Sequence, residues 1–362
     1  MAGPSLTGAG AGRGASSPIV APIPVPPVPG VPRIAPLVTL DAVQEARARI
    51  GARLHRTPVM SSRRLSHQAG VPLRLKMESL QKTGSFKVRG ALNKVLVAGE
   101  AARRGVVTVS AGNHAQALAW AAGCVDVPCA VVMPAGASET KARASAGYGA
   151  EVVVADDVHQ AFELAESLAR DRGMLFTHPF DDPAVIAGHG TTALELAEQA
   201  ADLDLVVVPV GGGGLIAGVA AALKRLRPEV RIFGVEPRGA AAMSESLRIG
   251  RAARLDRVGS VADGLAPPMA GEITYLHVRA LVDDVVRVSD AQITAAVRAL
   301  AETTRMVVEP AGAAGVAALL FGRIPDLGAG PAGVIVSGGN VDSSLLAEIL
   351  DPERAGGVAP PS

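Results

Sequence analysis

Leu205-Val206-Val207-Val208-Pro209-Val210-Gly211-Gly212-Gly213-Gly214-Leu215-Ile216-Ala217-Gly218 is the stretch that decides the fold. Its first half is apolar, largely β-branched and free of charge, the pattern of a strand buried on both faces. Pro209 and four consecutive glycines interrupt the run, and apolar residues resume beyond them as a helix start. The uncharged segment from Leu205 through Leu223 is long enough to raise a membrane span, but the proline and glycines argue for strand, loop and helix instead. That order brings backbone N–H groups and the positive end of a helix dipole to one point, where phosphate binds. Two other readings stay open here. One or two glycines would serve a tight turn alone. Gly212, Gly214 and Ala217 also satisfy a dinucleotide fingerprint, with Glu236 at the end of the next strand as a ribose-binding acid, and taken alone this suggests a nicotinamide-binding oxidoreductase.

The same pattern recurs outward from this stretch. From residue 39 onward, strand candidates at Val106 to Val109, Cys129 to Met133, Glu151 to Ala155, Arg231 to Val235, Val285 to Val288 and Gly333 to Val336 alternate with alanine- and leucine-rich amphipathic segments. This predicts an α/β fold with parallel, doubly wound sheets. Two further strands run into small residues, one into Ser110-Ala111-Gly112-Asn113-His114 and one into Ser337-Gly338-Gly339-Asn340. Ligands bind at the carboxyl ends of strands in open α/β sheets, so the three loops mark one rim. Ser110 reads as the N-cap of a helix ending at Gly123, with exposed N–H groups able to hold a carboxylate and Asn113 able to donate to a cofactor oxygen. The plainer reading is a capped helix with His114 on the surface. The Ser337 hydroxyl can meet a ring nitrogen without bringing the charge of a carboxylate, although Ser-Gly-Gly-Asn also fits an ordinary turn.

Lys87 lies in Lys82-Thr83-Gly84-Ser85-Phe86-Lys87-Val88-Arg89-Gly90-Ala91, in a chain with six lysines against twenty-nine arginines. A primary amine forms a Schiff base and a guanidinium does not. Ser85 reads as an N-cap, and Val88, Leu92, Val95 and Leu96 recur at helical spacing, so Lys87 falls in the first turn of a helix. A solvated surface lysine is the alternative.

The 362 residues leave room for about two domains, and 49% apolar composition fills a large core. Thirty-five basic and 34 acidic residues give a net charge of +1, with no basic stripe, and only nine residues are aromatic, which excludes nucleic acid or a membrane surface as the expected partner. Cys124 and Cys129 form no metal or redox pattern and read as small core residues in a reducing compartment. Residues 1–38 hold nine prolines with many Gly, Ala and Ser, and neither a basic start nor an unbroken apolar run. They read as a disordered tail on a cytoplasmic protein, as do residues 351–362.

Taken together, Ser85 to Ala91, Ser110 to His114, Gly211 to Gly214, Ala262-Asp263-Gly264, Val308-Glu309-Pro310-Ala311-Gly312 and Ser337 to Val341 resemble the fold-type II pyridoxal-phosphate family. The likeness is greatest to the short threonine/serine dehydratases and serine racemase, and covers roughly residues 40 to 345. It implies a tryptophan synthase beta-like fold of two open-sheet domains with the site between them. Residues 39–98 and 183–350 would form a discontinuous large domain, and residues 99–182 a smaller one that closes over the substrate. It implies pyridoxal 5′-phosphate as cofactor, Lys87 as the Schiff-base lysine and Phe86 packed near the ring. Asn113 would meet the ring hydroxyl, Gly211 to Gly214 and Leu215 the phosphate, and Ser337 the pyridine nitrogen. Gly264 and Glu309 would complete the cofactor site, and Ser110, Ala111, Gly112, Asn113 and His114 would take the substrate carboxylate.

The implied reaction is β-elimination of L-threonine or L-serine to a 2-oxo acid and ammonia. A racemase, a dehydratase of another β-hydroxy amino acid such as 3-hydroxyaspartate, and a non-catalytic cofactor-binding protein are the alternatives. Phe180 and Ala266 to Met269 are the candidates for side-chain selection. Two departures from the pattern matter. The second proton-donating serine of serine racemase is Ala111 here, which disfavours racemisation. Of the family's cation ligands, Glu236 and Ala240 are present but Ala242 replaces a carboxylate, so no metal is expected. The resemblance also implies a dimer or tetramer, and feedback inhibition by isoleucine is not expected.

Overall fold

Leu205, Val206, Val207 and Val208 are all fully buried, and alternate residues enter different cores. Leu205 and Val207 pack with the helix Pro310–Leu320, whereas Val206 and Val208 pack with the helix Gly214–Leu226. Burial on both faces explains the absence of polar alternation, and each such side chain contributes roughly 1.5–3 kcal/mol relative to exposure. The structure, a computed structural model, describes residues 37–351. Of the tails expected at 1–38 and 351–362, residues 1–36 and 352–362 lie outside the described residues. Val38, assigned to the N-terminal tail from sequence, is buried, and its N–H donates to His277 Nε2 at 2.8 Å.

Among the described residues ten strands form two sheets: β1 Val59–Met60, β2 Leu73–Met77, β3 Val106–Val109, β4 Cys129–Pro134, β5 Glu151–Ala155, β6 Leu175–Phe176, β7 Leu205–Pro209, β8 Arg231–Pro237, β9 Asp284–Val288 and β10 Ala332–Val336. The larger sheet has the order β1-β2-β10-β7-β8-β9 and the smaller β5-β4-β3-β6. Every pairing is parallel except β1 with β2. The smaller sheet lies wholly between Val106 and Phe176, and no strand of the larger sheet falls in that interval.

The sequence missed β1, β2 and β6. Two of these are only two residues long, and β2 reads Leu73-Arg74-Leu75-Lys76-Met77, whose charges hide a buried strand. Lys76 is fully buried because Glu195 Oε2 lies 2.6 Å and Thr57 O 2.7 Å from its Nζ. Arg89 extends the network with Nε to Glu78 Oε2 at 2.7 Å and Nη1 to Glu195 Oε1 at 2.7 Å. Two cations thus face two carboxylates, the condition for keeping charges away from water. The network ties β2 and the helix Lys87–Ala98 to the helix Pro183–Gln199.

Those helices also approach closely. A Cβ on Gly188 would stand 2.4 Å from Arg89 O, and one on Gly218 2.4 Å from Ile186 O, so glycine is required at both crossings. The helix bearing Lys87 is thereby seated on Pro183–Gln199, which in turn packs against the helix of the glycine loop. Cys129 is buried as expected, whereas Cys124 is only half-buried, and both are free thiols.

Candidate active site

The carboxyl ends of β3, β6, β7 and β10 open onto one cavity of about 360 Å³. Its wall contains Phe86, Lys87, Ser110 to His114, Gly211 to Leu215, Gly264, Glu309 and Ser337, so the candidates for cofactor and substrate carboxylate are brought together, whereas Glu236, Ala240 and Ala242 lie outside it. Phe180 and Ala266 to Met269 line it as well.

Lys87 is the first residue of its helix, and the residue before it, Phe86, is the N-cap with right-handed helical angles. Ser85 therefore does not cap this helix, and its buried hydroxyl has no hydrogen-bond partner among the described residues. Its backbone instead bridges Gly338, while Phe86 N–H donates to Ser337 O at 3.0 Å and Gly339 N–H to Gly84 O at 2.9 Å. The turn before Lys87 is thus tied to the loop after β10, some 250 residues away in sequence. Lys87 Nζ donates to Pro179 O at 2.8 Å. Burial lowers its pKa to about 8 against the opposing attraction of Glu309, so the amine gives up its proton more readily than an ordinary lysine. Lys141 also reaches the wall but is paired with Asp263.

The glycine loop has the shape that an anion requires. Gly213 has φ +95°, and a Cβ there would meet Met243 Cε at 2.7 Å. A Cβ on Gly212 would enter the Phe180 ring at 2.4 Å. No side chain caps the helix Gly214–Leu226, which leaves its first-turn N–H groups directed at the cavity loop.

Asn113 opens the helix Asn113–Gly123. Its Nδ2 donates to Glu309 Oε1 at 2.7 Å and its Oδ1 accepts from Asn340 Nδ2 at 2.7 Å, which fixes the amide orientation. Burial raises the Glu309 carboxyl to about 8. Gly112, not Ser110, is the N-cap, and Ser110 Oγ accepts from Gly112 N–H at 3.3 Å within the turn. The surface alternative for His114 fails as well. The side chain is buried, and burial holds its pKa well below the usual histidine value.

Sequence reading missed His178 and Pro179, and placed Asn340 in the loop after β10 without a role. His178 and Pro179 follow the two-residue β6, which gives no periodic signal, and Asn340 matters through its contact with Asn113. Among the described residues no helix is long and apolar enough to cross a membrane.

An amine of lowered pKa beside a phosphate-shaped glycine loop defines a site for a phosphorylated aldehyde cofactor, and the residues present fit that group. The comparisons agree. Residues 52–338 match the family described as pyridoxal-phosphate dependent enzyme, and the chain belongs to it, with the fold-type II architecture. The L-threonine ammonia-lyase of Thermotoga maritima is 42% identical over 317 residues, covering 87% of this chain and 79% of that one. The catabolic L-threonine dehydratase of Escherichia coli is 40% identical over 315 residues, covering 86% and 96%. The solved structure of maize serine racemase superposes with a TM-score of 0.83 at 38% identity, covering 86% and 96%.

Proposed function

We propose that the protein is an ammonia-lyase that converts L-threonine or L-serine to 2-oxobutanoate or pyruvate and ammonia. The observation that carries this reading is Lys87, whose amine borders the glycine-loop cavity and makes no ion pair among the described residues. Pyridoxal phosphate, when bound, supplies an aldehyde for the substrate amine and a ring that accepts electrons from the α-carbon. The N–H groups of Gly211 to Leu215 would hold its phosphate, and Ser337 would offer its ring nitrogen a neutral hydroxyl. The turn Ser110 to His114 binds the substrate carboxylate. Lys87 Nζ, free to act as a base because burial lowers its pKa, takes the α-proton. The β-hydroxyl then leaves as water with the proton that Lys87 took up, and hydrolysis of the resulting enamine releases the 2-oxo acid and ammonia.

A racemase is the second reading, favoured by the likeness to the maize structure. It requires an acid on the far side of the α-carbon, and the resemblance puts Ala111 there, a side chain with no proton to give. Residues 99–182, which contain the smaller sheet, form the closing domain in this reading. Borohydride treatment followed by peptide mapping should place the cofactor on the Lys87 peptide, and a 2-oxo acid assay over L-threonine, L-serine and 3-hydroxyaspartate should show turnover of the first two. Cofactor recovered on Lys141, or turnover confined to 3-hydroxyaspartate, would overturn the proposal.

A further inference from the structure

His178 follows β6 by two residues, and its ring borders the cavity. Its Nδ1 accepts the backbone N–H of Asp181 at 2.8 Å and that of Phe180 at 3.3 Å. A nitrogen that accepts carries no proton, so the neutral ring carries its hydrogen on Nε2. The ring is kept neutral by burial, with the nearby Lys87 adding to the effect against Asp181 and Asp182. Nε2 has no hydrogen-bond partner among the described residues.

The ring is also held in place. It stands edge-on to Phe180, with centroids 4.6 Å apart at 88°, and Phe180 is itself lodged against Gly212 and Gly214. The adjacent Pro179 carbonyl holds Lys87 Nζ. Parallel pairing of Val107 with Phe176 sets the turn containing His178 beside the turn Ser110 to His114. A fixed, neutral N–H donor therefore stands near both the amine that removes the α-proton and the loop that takes the carboxylate.

We infer that His178 Nε2–H donates to the β-hydroxyl oxygen of the bound amino acid and makes the site selective for β-hydroxy substrates. This rests on the ammonia-lyase reading of the same cavity. The carboxylate already has a helix N-terminus to receive it, whereas a neutral hydroxyl is matched by a neutral donor. A neutral imidazole is too weak an acid to release its Nε2 proton, so His178 orients the C–O bond without protonating it. Pro179 O, one residue on, offers only an acceptor.

The test is binding of two amino acids that lack an α-hydrogen and differ only in the hydroxyl, α-methyl-L-serine and 2-aminoisobutyrate, followed by the cofactor absorbance of the holoenzyme. His178→Asn retains an acceptor for the Asp181 N–H but is too short to reach the position of Nε2. It should weaken α-methyl-L-serine about ten-fold while changing 2-aminoisobutyrate little, as loss of one hydrogen bond implies. His178→Gln, which returns a donor near that position, should recover part of the difference, and His178→Phe should behave as His178→Asn does. Equal weakening of both compounds, or of neither, would overturn the assignment while a parent that still forms 2-oxo acid leaves the lyase reading standing. A parent that binds neither compound and forms no 2-oxo acid would remove both.

Discussion

Asn113 Nδ2 donates to Glu309 Oε1 over 2.7 Å, joining the helix after β3 to the residue that precedes the helix Pro310–Leu320. The carboxyl in this pair is raised to about 8 by burial, with Asp263 adding to the rise and Asn113, Lys141 and Lys87 opposing it. Between its ordinary value near 4.5 and about 8, the folded chain holds a proton that the unfolded chain has released. Stability contributed by Glu309 is therefore full at acid pH and declines as pH rises through that window. In cofactor-stripped protein, Glu309→Gln keeps an acceptor for Asn113 but has nothing to titrate. The melting temperature of the variant should gain on the parent from pH 5 to pH 9. A difference that stays constant over that range would show that the carboxyl ionises normally.

The buried network gives a second prediction. Arg89 bonds Glu78 and Glu195 together, and Lys76 shares Glu195. Burial alone would raise the Glu78 pKa, but Arg89 at bonding distance brings it below the usual carboxylate range. Arg89→Met leaves two carboxylates facing a single lysine away from water, a loss of about 3–5 kcal/mol. Urea unfolding should show it, and cofactor retention should fall too, since Lys87 lies two residues earlier in the same helix. Arg89→Met with unchanged urea midpoint would mean the network is not dry.

Glu236 bears on cations. Its carboxylate accepts Met243 N–H at 2.7 Å, Ser244 N–H at 2.8 Å and the Ser244 hydroxyl at 2.7 Å, and so caps the helix Ala242–Ile249. With Ala242 in place of a second carboxylate, a hard cation would have to compete with these three bonds for one acid. Magnesium or calcium should leave the melting temperature and turnover unchanged, and Ser244→Ala should cost about 1 kcal/mol. Saturable activation reversed by a chelator would contradict this.

The strands at β7 and β10 were legible because both faces are buried and glycine punctuates their ends, and the cavity wall was legible because motifs after strands share one rim. What the sequence hid follows from chemistry that depends on contacts. Lys76 looks like a surface charge until Glu195 is beside it. Ser85 and Ser110 have the composition of caps, yet their turns are fixed by backbone bridges to Gly338 and by the Gly112 N–H. His178 gave no periodic signal because its strand has two residues, and its meaning lies in which nitrogen the Asp181 N–H occupies.

Ala111 supplies the last prediction. It lines the cavity in the turn after β3, beside the residues proposed to take the carboxylate. With Lys87 Nζ as the proton carrier on one side and a methyl group at position 111, a deprotonated α-carbon regains its proton on the original face or loses its β-hydroxyl. The second route ends in hydrolysis and does not return. L-Threonine and L-serine should therefore yield 2-oxo acid with little D-isomer. Ala111→Ser places a hydroxyl at the cavity wall, a proton donor where there was none, and should raise the D-amino acid formed per 2-oxo acid without loss of bound cofactor. Chiral chromatography of both reactions measures the ratio. D-isomer forming as fast as 2-oxo acid in the unmodified chain would mean that another group reaches the far face, and the racemase reading would replace the lyase.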